Sequence, residues 1–213
     1  MDTPTSRVDP DPFSLTADAA IEELKQGRID QEVVTALSDL SRQQTRSITT
    51  VWATLPGETR QSLLQTANDL SASHVDLDFG RLFRVALDDN DASIRLLAIA
   101  GLADDASQSC RELMLRLAVT DPSVDVQAAA LANLTDSVAD NLDPDDDDPF
   151  LEGFGSFVAR VAGQDDAPFA VRVRAIEALG NHGIHHVPSE ANFVLLLFAG
   201  TLTGEAAYNG LAQ

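Results

Sequence analysis

The stretch Arg116-Leu117-Ala118-Val119-Thr120-Asp121-Pro122-Ser123-Val124-Asp125-Val126-Gln127-Ala128-Ala129-Ala130-Leu131-Ala132-Asn133-Leu134 decides the fold class. Its first residues read as the end of a helix. Asp121 offers a capping oxygen to the next helix, and Pro122 takes a first-turn position, where a missing N–H costs little. Beyond the turn, Val126, Ala130, Leu131 and Leu134 share one face of a 3.6-residue helix. Ala130 in the middle of that face lets a neighbouring helix come close. A hairpin of this kind cannot bury its own apolar face, so it requires stacked neighbours.

The same unit recurs on both sides. Upstream stand Arg84-Val85-Ala86-Leu87, then Asp88 and Asp89, then Ile94-Arg95, Ala98, Ile99 and Leu102. Downstream stand Arg160-Val161-Ala162, then Asp165 and Asp166, then Val171-Arg172, Ala175, Ile176 and Leu179. A weaker copy precedes them: Trp52 to Pro56, then Thr59-Arg60, Leu63-Leu64 and Ala67. Gln127 follows Arg95 by 32 residues, whereas Arg172 follows Gln127 by 45. The excess falls on an insert at 140–153 that holds seven acids and no base. No sustained period-two alternation of β-branched residues appears, so strands are not expected. The periodicity predicts helices near 16–26, 30–41, 45–55, 57–71, 79–88, 91–103, 107–119, 122–138, 150–163, 168–181 and 189–201.

Asp121-Pro122 with Val126-Gln127, Asp89 with Ile94-Arg95, and Asp166 with Val171-Arg172 resemble the HEAT-repeat family, including the bacterial repeats related to phycobilin lyases. Gln127 stands where that pattern usually has Arg. The resemblance is clear over 48–180 and weak over 16–40. It implies an all-α fold, a right-handed α-α superhelix (solenoid) of about five helical hairpins. The expected organisation is a flexible lead at 1–14, a repeat array at 15–188 carrying the acidic insert, and an apolar helix and tail at 189–213.

Composition narrows the function. The chain has 213 residues and a formal net charge of −20, from 14 basic and 34 acidic residues. Lys25 is the only lysine. Nucleic-acid binding draws on Lys and Arg against phosphates, so this balance argues against it. It argues equally against an anionic membrane surface. Aromatics are 5 %, so the core is expected to be aliphatic. One cysteine, Cys110, excludes an internal disulfide and any Cys-cluster metal site. No apolar h-region opens the chain, and the longest apolar run, 193–202, is too short to span a bilayer. A cytoplasmic protein is the expectation.

Each candidate site has a plain reading beside the functional one. The acidic insert does not match an EF-hand loop, because Asp148 falls where Gly is needed and Phe154 where Glu is needed. It reads as a solvated loop. His182, His185 and His186 cluster beside Gly183, where a helix stops, with no carboxylate or Cys ligand next to them. None of the four histidines is followed by Glu, as the paired dipeptides of HEAT-fold metal hydroxylases would require. Cys110 reads as a packed residue, and Trp52, in a stripe with Ile48, Val51 and Leu55, reads as core. No nucleophile motif, phosphate loop or dinucleotide fingerprint is present. Catalytic residues, metal and cofactor are therefore all expected to be none.

The repeated positions Arg60, Arg95, Gln127 and Arg172 carry two readings. As a ladder they would bond to Asp89, Asp121 and Asp166, which the family resemblance implies as their partners. As a functional row they would meet carboxylates of a bound protein. The function expected from the resemblance is a non-catalytic protein-interaction scaffold that binds a partner, one with a basic segment, on its concave face. The alternative is a subunit of a phycobilin-lyase-like or chaperone-like HEAT enzyme. HEAT-like DNA glycosylases are disfavoured by the charge. The apolar run near residue 193 raises a further choice: it folds back on the array, seals a homodimer, or belongs to a longer array.

Overall fold

The computed structural model describes residues 15–140 and 149–181. The described residues are all-helical, with ten α-helices and no strand among them. These are α1 (Ala17–Lys25), α2 (Gln31–Thr35), α3 (Arg42–Trp52), α4 (Gly57–Ser73), α5 (Gly80–Ala86), α6 (Ala92–Gly101), α7 (Gln108–Thr120), α8 (Val124–Asp140), α9 (Pro149–Ala162) and α10 (Phe169–Asn181). Each coincides with a helix expected from periodicity. The helix expected at 30–41 is shorter, because residues 36–39 are a run of turns. The helix expected at 189–201 and the His182, His185 and His186 cluster lie outside the described residues, as do the lead at 1–14 and residues 141–148 of the insert expected at 140–153, whose two ends belong to α8 and α9.

Local chemistry sets the helix ends. The Thr16 hydroxyl accepts from the Ala19 N–H at 3.3 Å, and the Asp30 carboxylate accepts from the Val33 N–H at 3.1 Å. Ser41 and Gln44 form a reciprocal capping box at the start of α3. The Ser107 hydroxyl receives the Cys110 N–H at 3.2 Å. Helix α1 stops at Gly27, whose φ of +83° only glycine adopts without strain. There the Arg28 N–H reaches the Glu23 carbonyl and the Gly27 N–H reaches that of Leu24, a Schellman closure. Pro149 occupies the first position of α9, where its lost donor is harmless.

The chain divides into two compact units, Met1–Leu102 and Ala103–Gln213. In the first, α1, α3 and α5 pack in one row and α2, α4 and α6 in a second, with α1 against α2 and α5 against α6. Helices two apart in sequence are thus neighbours, as stacked hairpins require. The core between the rows is aliphatic, with Leu24, Val34, Ile48, Leu63, Leu64, Ile94 and Ala98 fully enclosed. Phe79 and Phe83 meet edge to face at 6.4 Å between centroids. Gly101 lies against the Phe83 ring so closely that a Cβ there would drive into it.

The second unit shares part of this pattern. Helix α7 packs on α8, α9 on α10, and α8 on α10. Met114, Val126, Leu131, Leu134 and Val158 fill its interior. Phe150 stacks on Phe154, and the Arg111 guanidinium sits 5.1 Å over the Phe150 ring.

Candidate functional site

The most organised polar cluster is built around Asp89, in the turn between α5 and α6. Its carboxylate is fully out of solvent. A buried carboxylate is tolerated only with donors around it. Three reach this one. Oδ2 accepts from the indole Nε1–H of Trp52 at 2.7 Å and from Arg60 Nη1 at 2.5 Å. Oδ1 accepts from the Asp91 N–H at 2.8 Å. The backbone carbonyl of Asp89 accepts from Arg95 Nη1 at 2.7 Å.

Local sequence places each donor. Trp52 is the last residue of α3, facing inward with Ile48, Val51 and Leu55, all buried. A short turn through Pro56 puts Arg60 in the first turn of α4. Arg95 lies in the first turn of α6 and is buried. Asp91 caps that helix, with its carboxylate held by the Ser93 hydroxyl at 2.8 Å and the Ser93 N–H at 2.9 Å. Those two Ser93 donors hold the Asp91 carboxyl below its ordinary range. The α3–α4 connection is thereby fastened to the α5–α6 turn.

The turn at Asp121 in the second unit repeats part of this. Asp121 is buried, its Oδ1 accepts from the Ser123 N–H at 2.8 Å, and its carbonyl accepts from Gln127 Nε2 at 2.7 Å. The offsets of two and six residues are those of Asp91 and Arg95 from Asp89. An amide here does what a guanidinium does there. At the third turn Asp166 is exposed. Arg172 Nη2 instead lies 3.8 Å from the carboxylate of Asp165, which is fully in water.

Of the residues singled out by repetition, Arg60, Asp89 and Arg95 come together in one cluster. Asp121 and Gln127 come together in another. Repetition did not point to Trp52 as a donor. The available signal was that a buried indole N–H needs an acceptor. With three donors on its carboxylate and no solvent access, Asp89 is built as a brace between hairpins; proton exchange with a substrate would need it open.

Two shallow grooves lie in the first unit. One, of about 500 Å³, is lined by Leu15, Gln31, Glu32, Thr35 and Ala36. The other, of about 360 Å³, is lined by Asp18, Ile21, Glu22, Lys25, Ser47, Thr50 and Val51. Lys25 there is paired with Glu22 at 2.5 Å. Cys110 is buried. Among the described residues no group of three or more His, Cys, Asp or Glu side chains is placed to hold a metal, and no helix is long and apolar enough to cross a membrane.

No family model matches the chain, and no solved structure does. Part of it is similar to the histidinol-phosphate aminotransferase of Erythrobacter litoralis, 47 % identical over 77 residues, which is 30 % of this chain and 21 % of that protein. The histidinol-phosphate aminotransferase of Sphingopyxis alaskensis is 40 % identical over 75 residues, 30 % of this chain and 20 % of that protein. The chain spans about a fifth of the length of these curated relatives.

Proposed function

We propose that the chain is a non-catalytic interaction scaffold of the HEAT-like solenoid type, holding a partner protein through a basic segment. The observation that carries this is the fate of its charges. Several of the few bases are engaged within the chain: Lys25 with Glu22, Arg28 with Asp30 and Glu32, Arg60 with Asp89, and Arg174 with Glu177. The acids outnumber them, and most of the described ones lie at the surface, Asp89 and Asp121 being the buried exceptions. Asp39, Asp76 and Asp78 are all exposed, on two connections joined by the Asp39 N–H donating to the Asp78 carbonyl at 2.8 Å. Such a surface draws in a basic partner and repels anionic ones.

In this reading the repeated Arg and Asp positions keep the hairpins in register, and recognition falls to the exposed acids around them. The test is affinity capture with the full chain at about 50 mM and about 500 mM salt, where screening shortens from over 10 Å to a few Å. A partner held at low salt and released at high salt is expected, with Asp39→Lys/Asp76→Lys/Asp78→Lys weakening the capture. No partner at either salt would refute the scaffold. The similarity to histidinol-phosphate aminotransferases gives a second assay: amino transfer by the purified chain would displace the scaffold reading, and none is expected.

A further inference from the structure

The repeat register leaves part of one face of α10 more open than the matching positions of α4 and α8. Positions four and eight residues beyond the repeated Arg or Gln lie on one stripe of the second helix of each hairpin. In α4 they are Leu64 and Asn68, in α8 Leu131 and Thr135, and in α10 Ile176 and Gly180. Leu64 and Leu131 are fully buried, and Thr135 is buried as well. The direction of the stripe is fixed in α4, where Asn68 Nδ2 donates to the Leu97 carbonyl of α6 at 3.1 Å. The stripe therefore faces the second helix of the following hairpin.

In α10 the same stripe is Phe169, Val173, Ile176 and Gly180. Ile176 is only half-buried and Gly180 is exposed, unlike their counterparts in α4 and α8; half-buried Val173 and Phe169, 75 % exposed, extend the stripe at positions where Gln61, Gly57 and Val124 are exposed too. These four positions fall within about 60° around the helix, given 3.6 residues per turn. The stripe is apolar and uncharged, so its natural cover is an apolar, uncharged surface.

We propose that the segment 193–202 of the same molecule docks along this stripe. Its sequence, Phe193-Val194-Leu195-Leu196-Leu197-Phe198-Ala199-Gly200-Thr201-Leu202, has no charged residue and is the longest apolar run in the chain. It lies next in order after α10, across a connection of eleven residues, 182–192. At ~3.3 Å per residue that connection reaches ~36 Å. Helix α10, with 13 residues, is ~20 Å long. The segment can therefore lie along the whole stripe in either direction. This inference stands apart from the scaffold reading and holds with or without a partner.

Engineered disulfides in the full chain test it. The native thiol is removed by Cys110→Ala. Ile176→Cys is then combined in turn with Leu195→Cys, Leu196→Cys, Leu197→Cys and Phe198→Cys. At least one pair is expected to close within a single chain about tenfold faster than the same partners with Arg174→Cys, on another side of α10. Mass spectrometry and solution size would identify the product as an intramolecular bond in a monomer. Disulfides that form only between two chains would assign the stripe to a second copy and overturn the proposal. Equal rates with Arg174→Cys would overturn it too. Amide exchange gives an independent reading: Leu195→Asp/Leu196→Asp/Leu197→Asp is expected to speed exchange over 173–180 about tenfold. Unchanged exchange there would count against docking.

Discussion

In the α5–α6 turn the Asp89 carboxylate is out of water and takes three donors; in the α9–α10 turn Asp166, at the same repeat position, is exposed. The two turns have similar local sequences. The difference lies one hairpin upstream. Asp89 receives Trp52 and Arg60 from the preceding hairpin. The residues at those positions before Asp166 are Val119 and Gln127. Val119 has no N–H to offer from its side chain and is itself half exposed. Gln127 is neutral and spends its amide on the Asp121 carbonyl. A carboxylate that is offered neither a cation nor an indole donor does better in solvent. One letter pattern thus gives a buried brace at Asp89 and a solvated turn at Asp166, according to what the neighbouring hairpin brings.

The largest break in this comparison is Asp89→Ala. It strands Arg60 and Trp52 in a closed site, and removing one partner of a buried pair costs about 3–5 kcal/mol. The denaturation midpoint of the first unit should fall accordingly. Because Trp52 is the sole tryptophan, its fluorescence reports that unit alone. The fluorescence transition should move ahead of the helical circular-dichroism transition, and coincident transitions would argue against a local brace. Trp52→Phe keeps the ring and deletes only the indole donor. Its expected cost is about 1.5–3 kcal/mol, the range for hydrogen bonds to charged groups.

Gln127→Arg tests the comparison from the other side, by giving the second unit the cation that Arg60 supplies in the first. A double-mutant cycle with Asp166→Ala should show a coupling of about 0.2–1 kcal/mol, as for exposed ion pairs. Zero coupling would mean that the hairpins of the second unit do not share the register of the first. In the native background Asp166→Ala should change stability by no more than about 0.5 kcal/mol, as at other exposed positions.

The gentlest probe is acid. Asp30 is held below its ordinary value of 3.8 by the Val33 N–H and then by the Arg28 guanidinium, and Asp91 is lowered by Ser93. A carboxyl lowered on folding stabilises the folded state above its unfolded pKa. That contribution fades as pH falls through the folded value. Acid titration of unfolding should therefore lose part of its slope below about pH 4 in Asp30→Asn and Asp91→Asn, most visibly at low salt. Identical slopes would mean that these caps do not stabilise their helices through charge.

Much of the molecule was legible in its residues because helices announce themselves locally. Apolar spacing located the described helices, whereas the cap read at Asp121 falls short: α8 starts three residues later, at Val124, and Pro122 stands before it. Position by position, repetition also singled out Arg60, Arg95, Gln127, Asp89 and Asp121. Their bonds were harder to read. Arg60 reaches the turn of another hairpin, whereas Gln127 reaches the carbonyl of its own turn. Trp52 passed for ordinary core because a spacing rule registers the ring and overlooks its N–H.

The sequence by itself determined the helical class and the helix positions, since these follow from periodicity and capping within a few residues. Only the tertiary structure decided which carboxylate is buried, which cation answers it and which stripe of α10 stands partly open. Those outcomes depend on groups tens of residues apart in sequence. Whether a charge leaves water is settled by every donor that packing brings to it.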